Sequence, residues 1–167
     1  SKALPLEWPK ELLDRLIIDK KLALERFKTY QYSNDQLGRF LNNIKSSQLG
    51  SKTIIASTAD HGFMVVNFEE SETLQKWNVP FYLYVPKKYQ TATYNQVLKN
   101  KSNLFGSHID IWPTLYELSL SNAKVYRLGD DLLNQDKTVS MSFHSSRVAF
   151  DPFGGIYAGK DQEVHYY

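Results

Sequence analysis

The sequence predicts an α/β fold: part of a mixed, mostly parallel sheet flanked by helices, with a small C-terminal antiparallel hairpin or meander. Three observations lead to this prediction. A long helical pattern ends shortly before the apolar, β-branched stretch Thr53–Ser57, which lacks the alternation of a half-exposed strand. A second strand pattern and a further helical pattern follow, and the tail consists of short strand-like segments. A helix, a short turn and an unalternating strand are typical of the second half of a βαβ unit.

The composition is that of one ordinary soluble domain. The chain has 167 residues, 42% hydrophobic and 23% charged, enough for a core of its own. Its net charge of +2 comes from 20 basic and 18 acidic residues spread along the chain, so we expect no nucleic-acid partner. It has no cysteine, and no membrane-helix or signal-peptide pattern. With no linker or repeat, residues 1–167 are predicted to be a single domain.

The first fifty residues are predicted to be mainly helical. Apolar side chains recur at steps of three and four from Phe27 to Ile44, as in an amphipathic helix. Ser46, Ser47 and Gly50 mark its end, because glycine is common just past a helix carboxyl end. We expect the apolar stripe of this helix to pack against another part of the molecule.

A second strand is predicted within Val79–Pro86, "VPFYLYVP", where two prolines prevent its extension. The polar segment before it, "NFEESETLQKWN", suits a surface loop or a short helix. A later helix is predicted in "SHIDIWPTLYELSL", with Asp110 as its N-cap and Pro113 in its first turn. Its apolar residues Trp112, Leu115 and Leu118 are expected to face the sheet.

The tail, Val139–Tyr167, differs in texture from the rest of the chain. Its segments "SMSFHSSRVAF" and "GGIYAGKD" are separated by Asp151, Pro152 and two glycines. Short apolar segments joined by such turn residues predict a hairpin or meander.

The turn after the first strand holds the main candidate site. Asp60 and His61 lie just beyond Thr53–Ser57, and ligands in open α/β sheets bind beyond the carboxyl ends of strands. A carboxylate and an imidazole are suitable ligands for a divalent metal, and Gly62 would let the backbone bend so that both reach one ion. The alternative is that Asp60 only caps a turn beside a solvated His61. Spacing alone leaves both interpretations open.

Four blocks carry a family resemblance. They are "YQYSNDQLGRFLNNIKSSQLGSKTIIASTADHG", "VPFYLYVP", "SHIDIWPTL" and "LGDDLL". Their order and spacing over roughly residues 30–133 resemble the carboxyl-terminal part of the sulfatase-like branch of the alkaline phosphatase superfamily, closest to the lipoteichoic acid synthase type of phosphoglycerol transferase. The first block includes the helix positions Tyr32, Asp35, Leu37, Gly38 and Phe40.

The resemblance implies that Asp60 and His61 are two protein ligands of a catalytic divalent metal ion (Mn, Zn, Mg or Ca). It also implies that a Thr or Ser nucleophile, or the formylglycine of true sulfatases, and the remaining ligands lie upstream of this chain. On that basis the chain is the carboxyl-terminal portion of a larger catalytic domain and is inactive alone. His108 is a further candidate, for structural support or substrate contact rather than for binding a second metal.

The implied parent is a transferase or hydrolase acting on phosphate (phosphoglycerol or phosphoethanolamine) or sulfate esters of cell-envelope lipids or glycans. It is expected to be membrane-anchored, with its catalytic domain in the periplasm or outside the cell. Expected partners are the missing amino-terminal part of the enzyme, an anionic lipid or glycan ester, and a second fragment paired through an open sheet edge. The alternative is a non-catalytic α/β scaffold with a binding or assembly role.

Other polar candidates have simpler interpretations. His144 and His165 are expected to have surface or packing roles. Asp130 and Asp131 are adjacent in "RLGDDLL" and suit turn capping. Two small groups of lysines, "KK" at 87–88 and a second pair at 99 and 101, could attract an anionic head group to the sheet edge, but such groups usually form a solvated face.

Overall fold

A computed structural model of the chain describes residues 10–62, 64–99, 105–120, 123–134, 142–144, 148–150, 154–157 and 164–166. The described helices are α1 (Lys10–Asp14), α2 (Lys20–Ser46), α3 (Thr73–Trp77), α4 (Ala92–Lys99) and α5 (Ile111–Ser119), with short 3₁₀ helices at Glu70–Glu72, Lys87–Tyr89 and His108–Asp110. The described strands are β1 (Ile55–Thr58), β2 (Phe81–Tyr84), β3 (Ser142–His144), β4 (Val148–Phe150), β5 (Gly154–Tyr157) and β6 (Val164–Tyr166). No helix in these ranges has both the length and the apolar character needed to cross a membrane.

The long helix α2 confirms the helical prediction and its end. Asp19 caps its first turn by accepting two backbone N–H bonds, at 2.9 and 3.1 Å. The helix ends at Ser46, as predicted. Gly50 folds back over this end, where a β-carbon would overlap the carbonyl oxygen of Lys45, and its own carbonyl accepts a hydrogen bond from Tyr84. Glycine is therefore required there for close approach.

The packing of α2 agrees only in part with the expectation. Ala23 is fully buried, whereas Tyr30 and Phe40 on the apolar stripe are 47% and 57% exposed. The other stripe residues are half-buried: Phe27, Leu37, Leu41 and Ile44. The described hydrophobic core lies elsewhere in the chain, between residues 85 and 133. The amphipathic pattern therefore correctly predicted a helix, but within the described residues the core does not cover its stripe.

The two central strands pair antiparallel, from Ile55 opposite Tyr84 to Thr58 opposite Phe81. The predicted mostly parallel sheet is not seen among the described residues, although the mixture of helices and strands agrees with the α/β class. β1 is half-buried rather than covered on both faces. Thr58 Oγ1 donates a 2.9 Å hydrogen bond to the carbonyl of Pro80, which fixes the start of β2 beside the end of β1. The contact joins the end of β1 to the start of β2, as an antiparallel pair requires.

The core forms where β2 and its neighbours meet α4 and α5. Its buried members are Val85, Tyr94, Val97, Leu118 and Leu133, with Ile54 and Leu83 packed against them. Leu118 thus faces inward as predicted, whereas Trp112 is 64% exposed and the expectation that it faces the sheet was wrong. The two residues are six positions apart, which places them on different sides of the helix.

Two peripheral features complete the described fold. The tail strands pair antiparallel in the order β3-β4-β5-β6, which is the predicted meander, and β6 lies against the 3₁₀ helix Glu70–Glu72. Near the amino end, Leu16 forms a β-bridge with Val66, and the Arg15 guanidinium bonds the Glu72 carboxylate and lowers the pKa of that carboxyl. These contacts fasten the loop that follows residue 62.

Candidate metal centre

The turn after β1 presents Asp60 and His61 to solvent. The side chain of Asp60 is 88% exposed and that of His61 is 67% exposed. The backbone N–H of His61 donates to Asp60 Oδ1 at 3.0 Å, which orients the carboxylate. The second oxygen, Oδ2, lies 3.7 Å from His61 Nε2, so the two side chains converge on one region.

The hydrogen bond of His61 determines which ring nitrogen can bind a metal. Its Nδ1 lies 2.8 Å from the carbonyl oxygen of Gly62. A carbonyl can only accept, so Nδ1 carries the proton in this contact, and the neutral ring has its lone pair on Nε2. Metal-bound histidines usually donate their other N–H to a carbonyl or carboxylate in this way. The nitrogen that faces Asp60 is therefore the one suited to coordination.

The two uncommitted ligand atoms lie near the spacing of a shared divalent ion. With zinc–nitrogen or zinc–oxygen bonds of roughly 2.0–2.2 Å, two atoms in a tetrahedral site lie about 3.3–3.6 Å apart. The 3.7 Å between Asp60 Oδ2 and His61 Nε2 is slightly longer, so a small rotation of either exposed side chain would bring both onto one ion. Neither atom accepts a backbone hydrogen bond in the contacts described above.

The pair does not complete a coordination sphere. Within the described ranges, no group of three or more His, Asp or Glu side chains is arranged to hold an ion. A structural or catalytic zinc site needs at least three protein ligands. Further ligands must come from outside these residues if the pair binds a catalytic metal.

The backbone bends at residues 60 and 61, next to Gly62. The φ angle of Gly62 is outside the left-handed region, so the feature that calls for glycine here is close packing. A β-carbon at this position would lie 2.9 Å from the carbonyl oxygen of Lys76, at the end of α3, and 3.8 Å from that of Asn78. The Asp60–His61 turn is thus held closely against the end of α3.

His108 reaches this turn from a distant part of the chain. Its Nε2 donates to the carbonyl oxygen of Ala59 at 2.8 Å, immediately before Asp60. The neutral ring then has its lone pair on Nδ1, and Nε2 is occupied by the backbone contact. This arrangement favours a supporting role for His108 over metal binding.

The comparison with protein families decides the classification. The family model described as Sulfatase matches residues 15–119, which is more than half of the chain. The chain belongs to the Sulfatase family. The matched range includes Asp60, His61 and His108, and the family is one of enzymes that generally depend on a metal ion. Comparisons with curated proteins and with solved structures find no match.

The other predicted candidates of this sulfatase-family chain lie away from the turn. Asp131 Oδ1 accepts the backbone N–H of Leu133 at 3.0 Å, which confirms turn capping, and burial raises the pKa of the Asp131 carboxyl. Lys87 and Lys88 follow the carboxyl end of β2, whereas the Asp60 turn adjoins its amino end, so they lie at the opposite end of the sheet.

The two remaining histidines lie in strands of the tail, and the strand pairing gives their backbone positions. His144 lies in β3 and His165 in β6, opposite Val148 and Gly155 respectively. Their predicted surface or packing roles stay predictions.

Asp110 is the residue whose role sequence reasoning missed in this sulfatase-family chain. It is only 3% exposed, and its carboxylate accepts the N–H of Ser107 and that of Asp130, both at 2.8 Å. The carboxylate makes no capping bond to α5. Thr114 Oγ1 extends the cluster by donating to the Asp110 carbonyl at 2.7 Å and accepting the N–H of Leu132 at 2.9 Å. We call these five residues the Asp110 clamp.

Two glycines are the feature of the sequence that could have pointed to the clamp, because each leaves space for the Asp110 carboxylate. A β-carbon on Gly129 would lie 2.6 Å from Asp110 Oδ1, and one on Gly106 would lie 3.0 Å from Oδ2. The glycine of the "LGDDLL" block therefore leaves room for a buried carboxylate. That carboxylate lies about twenty residues earlier, and nothing in the sequence shows the two come together.

Proposed function

We propose that this chain is the carboxyl-terminal part of a metal-dependent sulfatase-like phosphotransferase or hydrolase of the lipoteichoic acid synthase type. Its substrates are phosphate esters (phosphoglycerol or phosphoethanolamine) or sulfate esters of cell-envelope lipids or glycans. The observation that carries the proposal is the exposed Asp60–His61 pair, whose Oδ2 and Nε2 converge within the family-matched range.

In this proposal Asp60 and His61 hold one side of the metal. Asp60 contributes negative charge through Oδ2, and His61 contributes a neutral nitrogen whose orientation is fixed by the Gly62 carbonyl. When bound, the divalent ion withdraws charge from the ester oxygen and lowers the pKa of the attacking hydroxyl. The Thr or Ser nucleophile and the other ligands belong to a part of the enzyme that precedes Ser1.

The role assigned to His108 is positioning. By donating to the Ala59 carbonyl, it holds the backbone immediately before Asp60 without using a metal-binding atom of the pair. Groups that hydrogen-bond a metal ligand directly typically change metal affinity by about 10–100-fold when removed. His108 acts one step farther out, through the Ala59 backbone, so its removal should have an effect near or below the lower end of that range.

Manganese titration of the full-length protein tests this proposal. Asp60→Ala and His61→Ala should each weaken Mn²⁺ binding by more than about 100-fold and abolish turnover, because each removes a direct ligand and not an outer partner. Glu25→Ala is the matched control: it also removes an exposed carboxylate, but on helix α2, away from the turn, and it should behave as wild type. Undiminished metal binding and turnover in both site variants would contradict the proposal.

The second candidate is a non-catalytic scaffold that keeps the family fold for binding or assembly. The observation in its favour is that the described residues supply two ligands and not three. It predicts that the full-length wild-type protein binds no Mn²⁺ at the turn and hydrolyses neither phosphate nor sulfate esters. The same titration therefore separates the two candidates.

The cellular setting is also part of the proposal. The parent is anchored in the membrane with its catalytic domain on the outer side, and this part of it pairs with the amino-terminal part of the same enzyme. External protease should then digest the domain in intact spheroplasts. Protection until the cells are lysed would contradict this location.

A further inference from the structure

The buried carboxylate of Asp110 closes the turn that carries His108. The 3₁₀ helix His108–Asp110 begins at Ser107, and a reciprocal capping box joins the two ends: the Ser107 hydroxyl accepts the Asp110 N–H while Asp110 accepts the Ser107 N–H. The Asp110 N–H also points to the Ser107 carbonyl at 3.0 Å. His108 thus lies between two residues that are bonded to each other.

The same carboxylate ties this turn to a second segment. Asp110 Oδ1 accepts the N–H of Asp130, twenty residues later, and Gly129 abuts both this oxygen and the Ile109 carbonyl. Both carboxylate oxygens are therefore engaged by backbone groups on opposite sides. A buried carboxylate held in this way fixes the relative positions of the segments that donate to it.

His108 transmits that position to the metal turn. The bond from His108 to Ala59 joins residues 49 positions apart and enters the turn from outside the β1–β2 pair and its connection. The turn's other anchors are local: Thr58 Oγ1 lies 2.9 Å from the Pro80 carbonyl oxygen and 3.3 Å from that of Ala59 itself, and Gly62 packs against Lys76. Without His108, the backbone at Ala59 would depend on those local contacts.

We infer that Asp110 is a positioning residue for the candidate metal centre, acting through His108 to hold the Ala59 carbonyl and with it the Asp60–His61 pair. This inference rests on the proposed function for its effect on metal binding, and on the hydrogen bonds alone for its effect on the turn.

The test uses Asp110→Asn, His108→Ala and the double variant in the full-length protein. Asparagine has the shape of aspartate, but its amide nitrogen cannot accept, so one of the two backbone N–H groups loses its acceptor. Each single variant should weaken Mn²⁺ affinity by about 10-fold, the lower end of the range for outer-shell partners. The double variant should be no weaker than His108→Ala alone, because residues that act in series are non-additive.

Asp19→Asn is the matched control. It makes the same chemical change at a carboxylate that also accepts backbone N–H groups, those of Lys21 and Leu22, and no described contact joins it to the His108 turn or to the Asp110 clamp. Its Mn²⁺ affinity should stay within about twofold of wild type. Additive losses in the double variant, or an equal loss in Asp19→Asn, would overturn the inference, since a general loss of stability would then explain the effect.

Hydrogen exchange separates this inference from the proposed function. Asp110→Asn and His108→Ala should both speed amide exchange in residues 58–62 severalfold, whether or not a metal is bound. If wild type binds no Mn²⁺ but exchange still responds, the proposed function fails and the positioning role stands. Unchanged exchange in Asp110→Asn overturns the positioning role alone. Should that variant fail to fold, Ser107→Ala weakens the same capping box without touching the buried carboxylate and is measured instead.

Discussion

The molecule contains two Asp/His pairs with opposite environments. In the first, Asp60 and His61 are adjacent, exposed and aimed at each other. In the second, Asp110 is buried in a clamp of backbone N–H groups, while His108, two residues earlier, reaches across to the first pair. The residue types are the same, but the first pair is exposed to solvent, whereas the side chains of the second pair bond backbone groups of other segments.

The difference lies in whether the carboxylate oxygens are already used. Each carboxylate oxygen of Asp110 accepts a backbone N–H: Oδ2 that of Ser107 and Oδ1 that of Asp130. This carboxylate therefore has a structural role. In Asp60, Oδ1 accepts the backbone N–H of His61, while Oδ2 faces the imidazole ring of His61. A metal needs such an uncommitted oxygen, because an ionised carboxylate offers only a few acceptor directions.

The most damaging single change is expected at the clamp. Gly129→Ala would place a methyl group 2.4 Å from the Ile109 carbonyl oxygen and 2.6 Å from Asp110 Oδ1. Because the first of these atoms belongs to the backbone, the overlap can be relieved only if the backbone shifts. We expect a loss of about 3 kcal/mol in the free energy of unfolding. Urea denaturation measures it, with Gly38→Ala as the control: nothing lies within 4 Å of a β-carbon there, and an alanine in mid-helix should add about 0.5–1 kcal/mol. Equal stability of the two variants would show that the clamp is not tightly packed.

A smaller loss is expected from Thr114→Val. Valine matches the shape of threonine but removes the fully buried hydroxyl, so the Leu132 N–H loses its acceptor. This should cost about 2 kcal/mol of unfolding free energy, the range for a buried unsatisfied donor. Thermal denaturation monitors the change. A variant as stable as wild type would mean that the Leu132 amide finds another acceptor.

At the Asp60–His61 turn, a glycine-to-alanine change should reduce stability less than it does at Gly129. Gly62→Ala places a β-carbon 2.9 Å from the Lys76 carbonyl oxygen, so the turn must shift, but by less than at Gly129, where the nearest atom would be at 2.4 Å. We expect about 1 kcal/mol of destabilisation and, because the shift moves His61, weaker Mn²⁺ binding as well. Paired denaturation and titration measurements check both. Loss of stability with unchanged affinity would separate the turn's packing from its metal binding.

The smallest effect is expected at Asp131, on the edge of the clamp. Burial raises the pKa of this carboxyl, so over the interval between its unfolded and folded pKa the folded protein binds more protons. Its contribution to stability therefore falls as pH rises through that interval. Asp131→Asn should be more stable than wild type by about 0.5 kcal/mol or less at neutral pH, with no difference below about pH 4. A gain that grows on acidification would have the wrong sign.

Local patterns predicted several of the elements but not α4, whose Tyr94 and Val97 belong to the core. The three-to-four spacing and the Ser46 boundary gave α2, and the prolines around "VPFYLYVP" gave β2. These succeed because helix periodicity, capping and proline restrictions act within a few residues. Whether Asp60 and His61 bind a metal stays a prediction.

Long-range pairing could not be predicted in the same way. The antiparallel β1–β2 arrangement brings Thr58 to Pro80, and the clamp brings Asp110 to Asp130. Each contact joins residues about twenty positions apart, and no local pattern specifies it. Trp112 illustrates the same limit, since an apolar residue on a helix can face solvent when the core forms on the other side.

The antiparallel direction of β2 also determines what lies beside the Asp60–His61 pair. Because β2 starts where β1 ends, the connection Asn78–Pro80 runs next to this turn, and a β-carbon on Gly62 would lie 3.8 Å from the Asn78 carbonyl oxygen. The neighbourhood of the two exposed side chains is therefore built from two stretches of chain about twenty residues apart. Changes in the second stretch can reshape the surface next to the pair while leaving both side chains intact.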